Sequence, residues 1–138
     1  MQAVEGAGPE AEEQTSALIR QIAETLNNLA NVHRLTGNFR ESHILCETSI
    51  LLRERWHPPG VAMSRYVMAM ILWEMGHTAG AVAHLRRAAD DCAPEDEVKL
   101  ARIEKYRAYI LFRTGLADRA IEILDQVESV FRQRGLYS

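Results

Sequence analysis

Three glycines, Gly37, Gly76 and Gly115, stand 39 residues apart twice over in a chain of 138 residues. No other feature constrains the fold as much. Aligned on these glycines without gaps, further positions fall into register. Seven residues before each stands alanine (Ala30, Ala69, Ala108), and four before stand His33, Leu72 and Leu111. Five after come Ser42, Ala81 and Ala120; nine after, Cys46, Leu85 and Leu124; twelve after, Ser49, Ala88 and Val127. A lone glycine between helical patterns marks a turn. Three of them with matching small and apolar neighbours mark a repeated helix–turn–helix. Glycine supplies the left-handed conformation that closes one helix. The small residues let the two helices approach closely, and the larger apolar ones fill the space between successive hairpins.

The pattern predicts helices over 14–36 and 39–55, 61–75 and 78–91, and 95–114 and 117–134. Proline occurs only at Pro9, Pro58, Pro59 and Pro94, so long stretches run without a breaker. No segment alternates with period two, which argues against a sheet. Pro58-Pro59-Gly60 separates the first two hairpins, and Pro94 with Glu95, Asp96 and Glu97 suits the first turn of the fifth helix. Residues 1–13 are small and acidic and read as a disordered leader. Residues 14–138 read as one domain with repeats at about 22–60, 61–94 and 95–135.

These motifs resemble the tetratricopeptide repeat family. The first unit, TLNNLANVHRLTGNFRES, carries the Leu29-Ala30 pair and the turn Gly37-Asn38-Phe39. The second keeps Ala69, Gly76, Ala81, Leu85 and Ala88, and the third keeps Ala108, Gly115, Ala120 and Leu124. The resemblance spans roughly residues 22–134 and implies an all-α, right-handed α-solenoid of three helix-turn-helix repeats. The period of 39 exceeds the usual period of about 34, as in kinesin-light-chain-like and bacterial regulator repeats. The aromatic expected early in each first helix is replaced by Leu26, Arg65 and Glu104, and the aromatic turn position survives only as Phe39.

The first helices of such an array are expected to line a concave groove that binds a peptide or helix of a partner protein. Residues ten, six and three before each glycine should face into it. These are Asn27, Asn31 and Arg34; Tyr66, Met70 and Trp73; and Lys105, Tyr109 and Phe112. Amides that donate and accept form one wall, and aromatic anchors form the rest. Against this reading, Val67–Trp73 is apolar all round, which points to burial on most sides. The carboxylate clamp of chaperone-binding relatives is not expected. Asn31 and Arg102 fall at clamp places, but Asn27, Val67 and Tyr106 occupy the others.

The last helix is apolar over more than one face. Ile123 and Val130, seven apart, lie off the main stripe, and with Phe131 they form the expected self-association surface. That alternative makes the chain an oligomerisation unit or part of a longer solenoid, since a terminal repeat otherwise needs a polar outer side. By family analogy alone, the expected context is a larger bacterial signalling or transcriptional regulator.

Catalytic and metal-binding signatures are not found. There is no glycine-rich phosphate loop or G-x-S-x-G elbow, and no two of the five histidines stand three or four apart. Neither an enzyme nor a cofactor is expected. A net charge of −3, with fourteen arginines and two lysines scattered along the chain, gives no footprint for nucleic acid. Cys46 and Cys92 are too few for a disulfide framework and read as free thiols. The longest apolar run, Val67–Trp73, falls far short of the roughly 20 residues that span a bilayer, so a cytoplasmic location without membrane contact is expected.

Overall fold

The computed structural model describes residues 8–133 and Gly135, and among these it contains helices and no strand. In chain order they are α1 (Pro9–Leu35), α2 (Phe39–Trp56), a 3₁₀ turn at Pro58–Gly60, α3 (Val61–Glu74), α4 (Thr78–Asp91), α5 (Glu97–Arg113) and α6 (Ala117–Gln133). They pair as three antiparallel hairpins, α1/α2, α3/α4 and α5/α6, and each hairpin stacks on the next through α2 against α3 and α4 against α5. This is an all-α repeat solenoid.

Each hairpin turns in the same way. Gly37, Gly76 and Gly115 have φ of 82°, 87° and 91°. The amide after each glycine donates to the carbonyl five residues back: Asn38 to His33, His77 to Leu72 and Leu116 to Leu111, all at 2.8 Å. The glycine amide donates to the carbonyl three back in every case. These two bonds satisfy carbonyls left over at the helix end, and they require a left-handed residue between them. Beyond the turn, the pairs Ala30/Ser42, Ala69/Ala81 and Ala108/Ala120 are buried where the helices cross. In the first hairpin, Ser42 Oγ donates to the Ala30 carbonyl and Ser49 Oγ donates to the Ala23 carbonyl.

The core is a row of three apolar clusters along the stack. One joins α1 and α2 to Val61, Val67, Met68 and Ile71 of α3. A second joins α3 and α4 to Ile103 and Ile110 of α5. The third holds Ala101, Ala108, Leu111, Ala120, Ile123 and Val127 of α5 and α6 alone.

Two boundaries differ from the sequence reading. Of the supposed leader, residues 1–7 lie outside the described residues, whereas Pro9–Glu13 are helical. Pro9 occupies the first turn, where its missing N–H is no loss, and Glu10 and Glu12 complement the dipole there. The antiparallel register set by 30 with 42 and 23 with 49 extends to Ser16 beside Trp56, so the early turns of α1 have a partner, and Thr15, Ser16 and Ile19 are half-buried. Pro94 does not begin α5. The Asp96 amide donates to the Ala93 carbonyl at 2.9 Å, closing a turn with proline second, and the first helical bond runs from the Leu100 amide to the Asp96 carbonyl.

Candidate functional site

The face built from α1, α3 and α5 carries the residues singled out in the sequence. On α3 and α5 they converge on one aromatic array. Tyr66 meets Tyr106 edge to face at a centroid distance of 5.7 Å, Tyr106 meets Tyr109 at 5.8 Å, and Tyr109 meets Trp73 edge to face at 6.1 Å. Edge-to-face contact sets the positive rim of one ring against the negative face of another, which fixes ring orientation beyond simple burial. Tyr66, Tyr106 and Tyr109, together with Arg102 and Lys105, line an open cavity on this face. Among the described residues no ion pair engages Arg102 or Lys105.

The phenols act as neutral hydrogen-bonding groups. Burial pushes the Tyr66 hydroxyl up, against the opposing pull of Arg102 and Arg34. Burial, with Glu74 nearby, pushes Tyr106 up to about 12. Both therefore offer an O–H donor and an acceptor at neutral pH.

The α1 wall is less open than the sequence suggested. Asn31 Oδ1 accepts from Arg34 Nε at 3.0 Å, and the same guanidinium forms an ion pair with Glu74 at the end of α3. Arg34 is thus held inside the chain, bridging the first two hairpins. Asn27 Oδ1 is buried without a hydrogen-bond partner among the described residues. Met70 is half-buried against the first core cluster, and Phe112 is largely exposed. Tyr66, Trp73, Lys105 and Tyr109 come together; Asn27, Asn31 and Met70 serve packing and internal bonding.

The sequence reading named Tyr106 only as a misfit at a clamp place, not among the groove residues, and did not single out Glu74. Tyr106 lies one residue from the register used to choose groove positions, matching Val67 and Asn28. The available signal was the concentration of five rings, Tyr66, Trp73, Tyr106, Tyr109 and Phe112, on two neighbouring first helices. Glu74 required knowledge that the end of α3 lies beside Arg34.

The self-association residues are placed differently from the expectation. Ile123 is buried at 6% exposure in the core between α5 and α6, and Val130 and Phe131 pack against that core. The exposed apolar residues at this end are Leu116, Ile121 and Leu124. The reason is that a second helix inside the stack has two neighbours, its own first helix and the following hairpin. The register borrowed from α2 and α4 assigned Leu124 to the buried stripe, but within the chain α6 packs only on α5.

Both cysteines are free. Cys46 donates to the Ser64 carbonyl at 3.2 Å, and burial pushes its thiol up to about 12, so it is a packed thiol and a poor nucleophile. Among the described residues no group of three or more His, Cys, Asp or Glu could hold a metal ion, and no helix is long and apolar enough to cross a membrane.

No curated protein and no solved structure matches the chain. A family model described as tetratricopeptide repeat matches residues 21–91, which run from within α1 to the end of α4. The third hairpin repeats their turn bonds and helix-crossing pairs. Tetratricopeptide repeats are non-catalytic and generally mediate protein–protein interaction. Matched over half its length and built of three such hairpins, the chain belongs to the tetratricopeptide repeat family.

Proposed function

We propose that the α1/α3/α5 face captures a peptide or helix of a partner protein that presents apolar anchors beside acidic groups. The observation that carries this reading is the four-ring array Tyr66–Tyr106–Tyr109–Trp73, flanked by Arg102 and Lys105. Rings held edge to face lose little freedom on binding, and such residue types dominate interface energies. The two cations, without carboxylate partners among the described residues, supply a preference for acidic ligands and for fast encounter. Arg34, already paired with Glu74, contributes less. A place within a larger bacterial regulator rests on the family resemblance.

Selection of a displayed random-peptide library on the immobilised protein tests the reading. Enriched sequences should combine aromatic or aliphatic residues with Asp or Glu. Tyr109→Ala should weaken the best binder by about 2 kcal/mol, roughly thirtyfold. Lys105→Glu should weaken it further at low salt than at high salt. Binders whose affinity ignores both substitutions would place the interaction on another surface.

A further inference from the structure

The two ends of the stack are the two halves of the contact that is made twice inside it. In α3, the residues Val61, Ser64, Met68 and Ile71 lie against the preceding hairpin and are buried. Thirty-nine residues on, Leu100, Ile103, Arg107 and Ile110 of α5 occupy the same positions, and Ile103 and Ile110 are fully buried. Thirty-nine residues back, α1 carries Ile22, Thr25, Leu29 and Val32. This face has the same apolar character and lies bare: Val32 is 54% exposed where Ile71 and Ile110 are 0%.

The opposite end shows the complementary defect. Cys46 of α2 and Leu85 of α4 are 0% exposed beneath the helix that follows them, whereas Leu124 in the same register on α6 is 43% exposed. Along the same helix, Val127 repeats Ser49 and Ala88, both 0% exposed inside the stack.

We propose that a second copy of this chain covers this face of α6, its α1 seated on α5 and α6 as α3 is on α1 and α2. The repeat supplies the occupant: each chain carries both the α1 face and the α6 face in the register that already joins its own hairpins. The contact is heterologous, so each added copy leaves one α1 face and one α6 face open, and the assembly grows with concentration. In the same register Lys105 and Phe112, the counterparts of Tyr66 and Trp73, meet Asn28 and Asn31 of the next copy, so the contact adjoins the aromatic face.

The register also fixes which residues meet. Inside the chain, Ser49 Oγ and Ser64 Oγ lie 3.0 Å apart. Their equivalents at the two ends are Val127 and Thr25, so Val127 of one copy should meet Thr25 of the next.

Crosslinking two single-cysteine variants tests this. Thr25→Cys and Val127→Cys are made in a Cys92→Ala background, which leaves only the buried native Cys46. Under mild oxidation the mixture should give a disulfide-linked dimer of one copy of each, and neither variant alone should give more than a trace. The double variant should give a ladder of multimers. Light scattering of the unmodified protein should show mass rising with concentration, and Val32→Glu or Leu124→Glu, both at exposed positions, should each hold it at one chain mass with unchanged helicity. Mixed in equal amounts, those two variants should form a dimer through their intact ends and nothing larger. A monomer at every concentration with no mixed crosslink overturns the proposal, as does preferential crosslinking of Thr25→Cys to itself or Val127→Cys to itself.

Discussion

His84 on α4 shows how one residue can carry a cost that its repeat partners do not. Its Nδ1 is buried without a hydrogen-bond partner among the described residues. Burial, with Arg65, Arg87 and His43 adding positive charge nearby, holds the imidazole below its ordinary range. Protonation therefore disfavours the folded chain. Its neutral-form stability is intact above the unfolded value near about 6.5 and is lost as pH falls from there through the depressed folded value. Leu45 and Ile123 occupy the same register position in the other units. His84→Leu should thus raise stability at pH 7 by about 1 kcal/mol, by removing an unsatisfied buried nitrogen. It should also reduce the loss of stability between pH 7 and pH 5. Urea titrations at several pH values measure both effects. The dependence that remains belongs partly to His57, whose imidazole is likewise held down by burial and by Arg20, Arg53 and Lys99. An unaltered pH profile in the variant would remove His84 from this account.

Helices in the stack are tied by polar bridges as well as by apolar contact. Arg65, on α3, is 3% exposed and pairs with Glu54 at the end of α2 and with Asp91 at the end of α4. One guanidinium thus joins three consecutive helices. Removing both carboxylates leaves a buried cation uncompensated, whereas replacing the cation by an apolar side chain leaves two carboxylates that retain access to water. Glu54→Ala with Asp91→Ala should therefore cost about 3 kcal/mol or more, and Arg65→Leu should cost less. Leucine already stands at this position in the first unit, as Leu26. Denaturant midpoints of the two variants settle the order. From the sequence, Arg65 is legible only as the loss of an expected aromatic. Its role depends on carboxylates eleven residues before it and twenty-six after it, which share a site because hairpins of this length bring helix ends together.

At the scale of the whole molecule, stability in a repeat stack is distributed by neighbours. The α3/α4 hairpin is covered on both sides. In contrast, α1 bears the bare Ile22, Leu29 and Val32, and α6 leaves Leu124 uncovered. Amide exchange in dilute solution should be slowest in α3 and in the α4 segment around Leu85. It should be at least about tenfold faster through α6, equivalent to about 1.4 kcal/mol less local stability. Mass-resolved exchange on peptides from each helix reads this out, and uniform rates would show that the three hairpins open as one unit. Raising protein concentration should slow exchange in α1 and α6 first, because those helices form the stacking contact. Stacking would also continue the α1/α3/α5 face from one copy to the next and display several aromatic arrays in a row. Ligands with repeated acidic and apolar motifs would then gain by multivalency.

By itself the sequence determined the hairpins. Turn chemistry and helix crossing depend on residues close in the chain: glycine must take positive φ, and Ala30, Ala69 and Ala108 must be small where a second helix returns a dozen residues later. The same local rules located α2 to α6 to within one or two residues and drew Tyr66, Trp73, Lys105 and Tyr109 onto one face. Tertiary structure decided everything that depends on a neighbouring hairpin. It committed Asn31 and Arg34 to a bridge with Glu74, brought Tyr106 into the aromatic array, and gave α1 extra turns against the end of α2. It also exchanged the roles of Leu124 and Ile123 on α6. The physical reason is common to all of these. A repeat specifies which positions face an adjoining hairpin, but whether a hairpin is there, and which side chains it offers, is set by packing between segments distant in the chain.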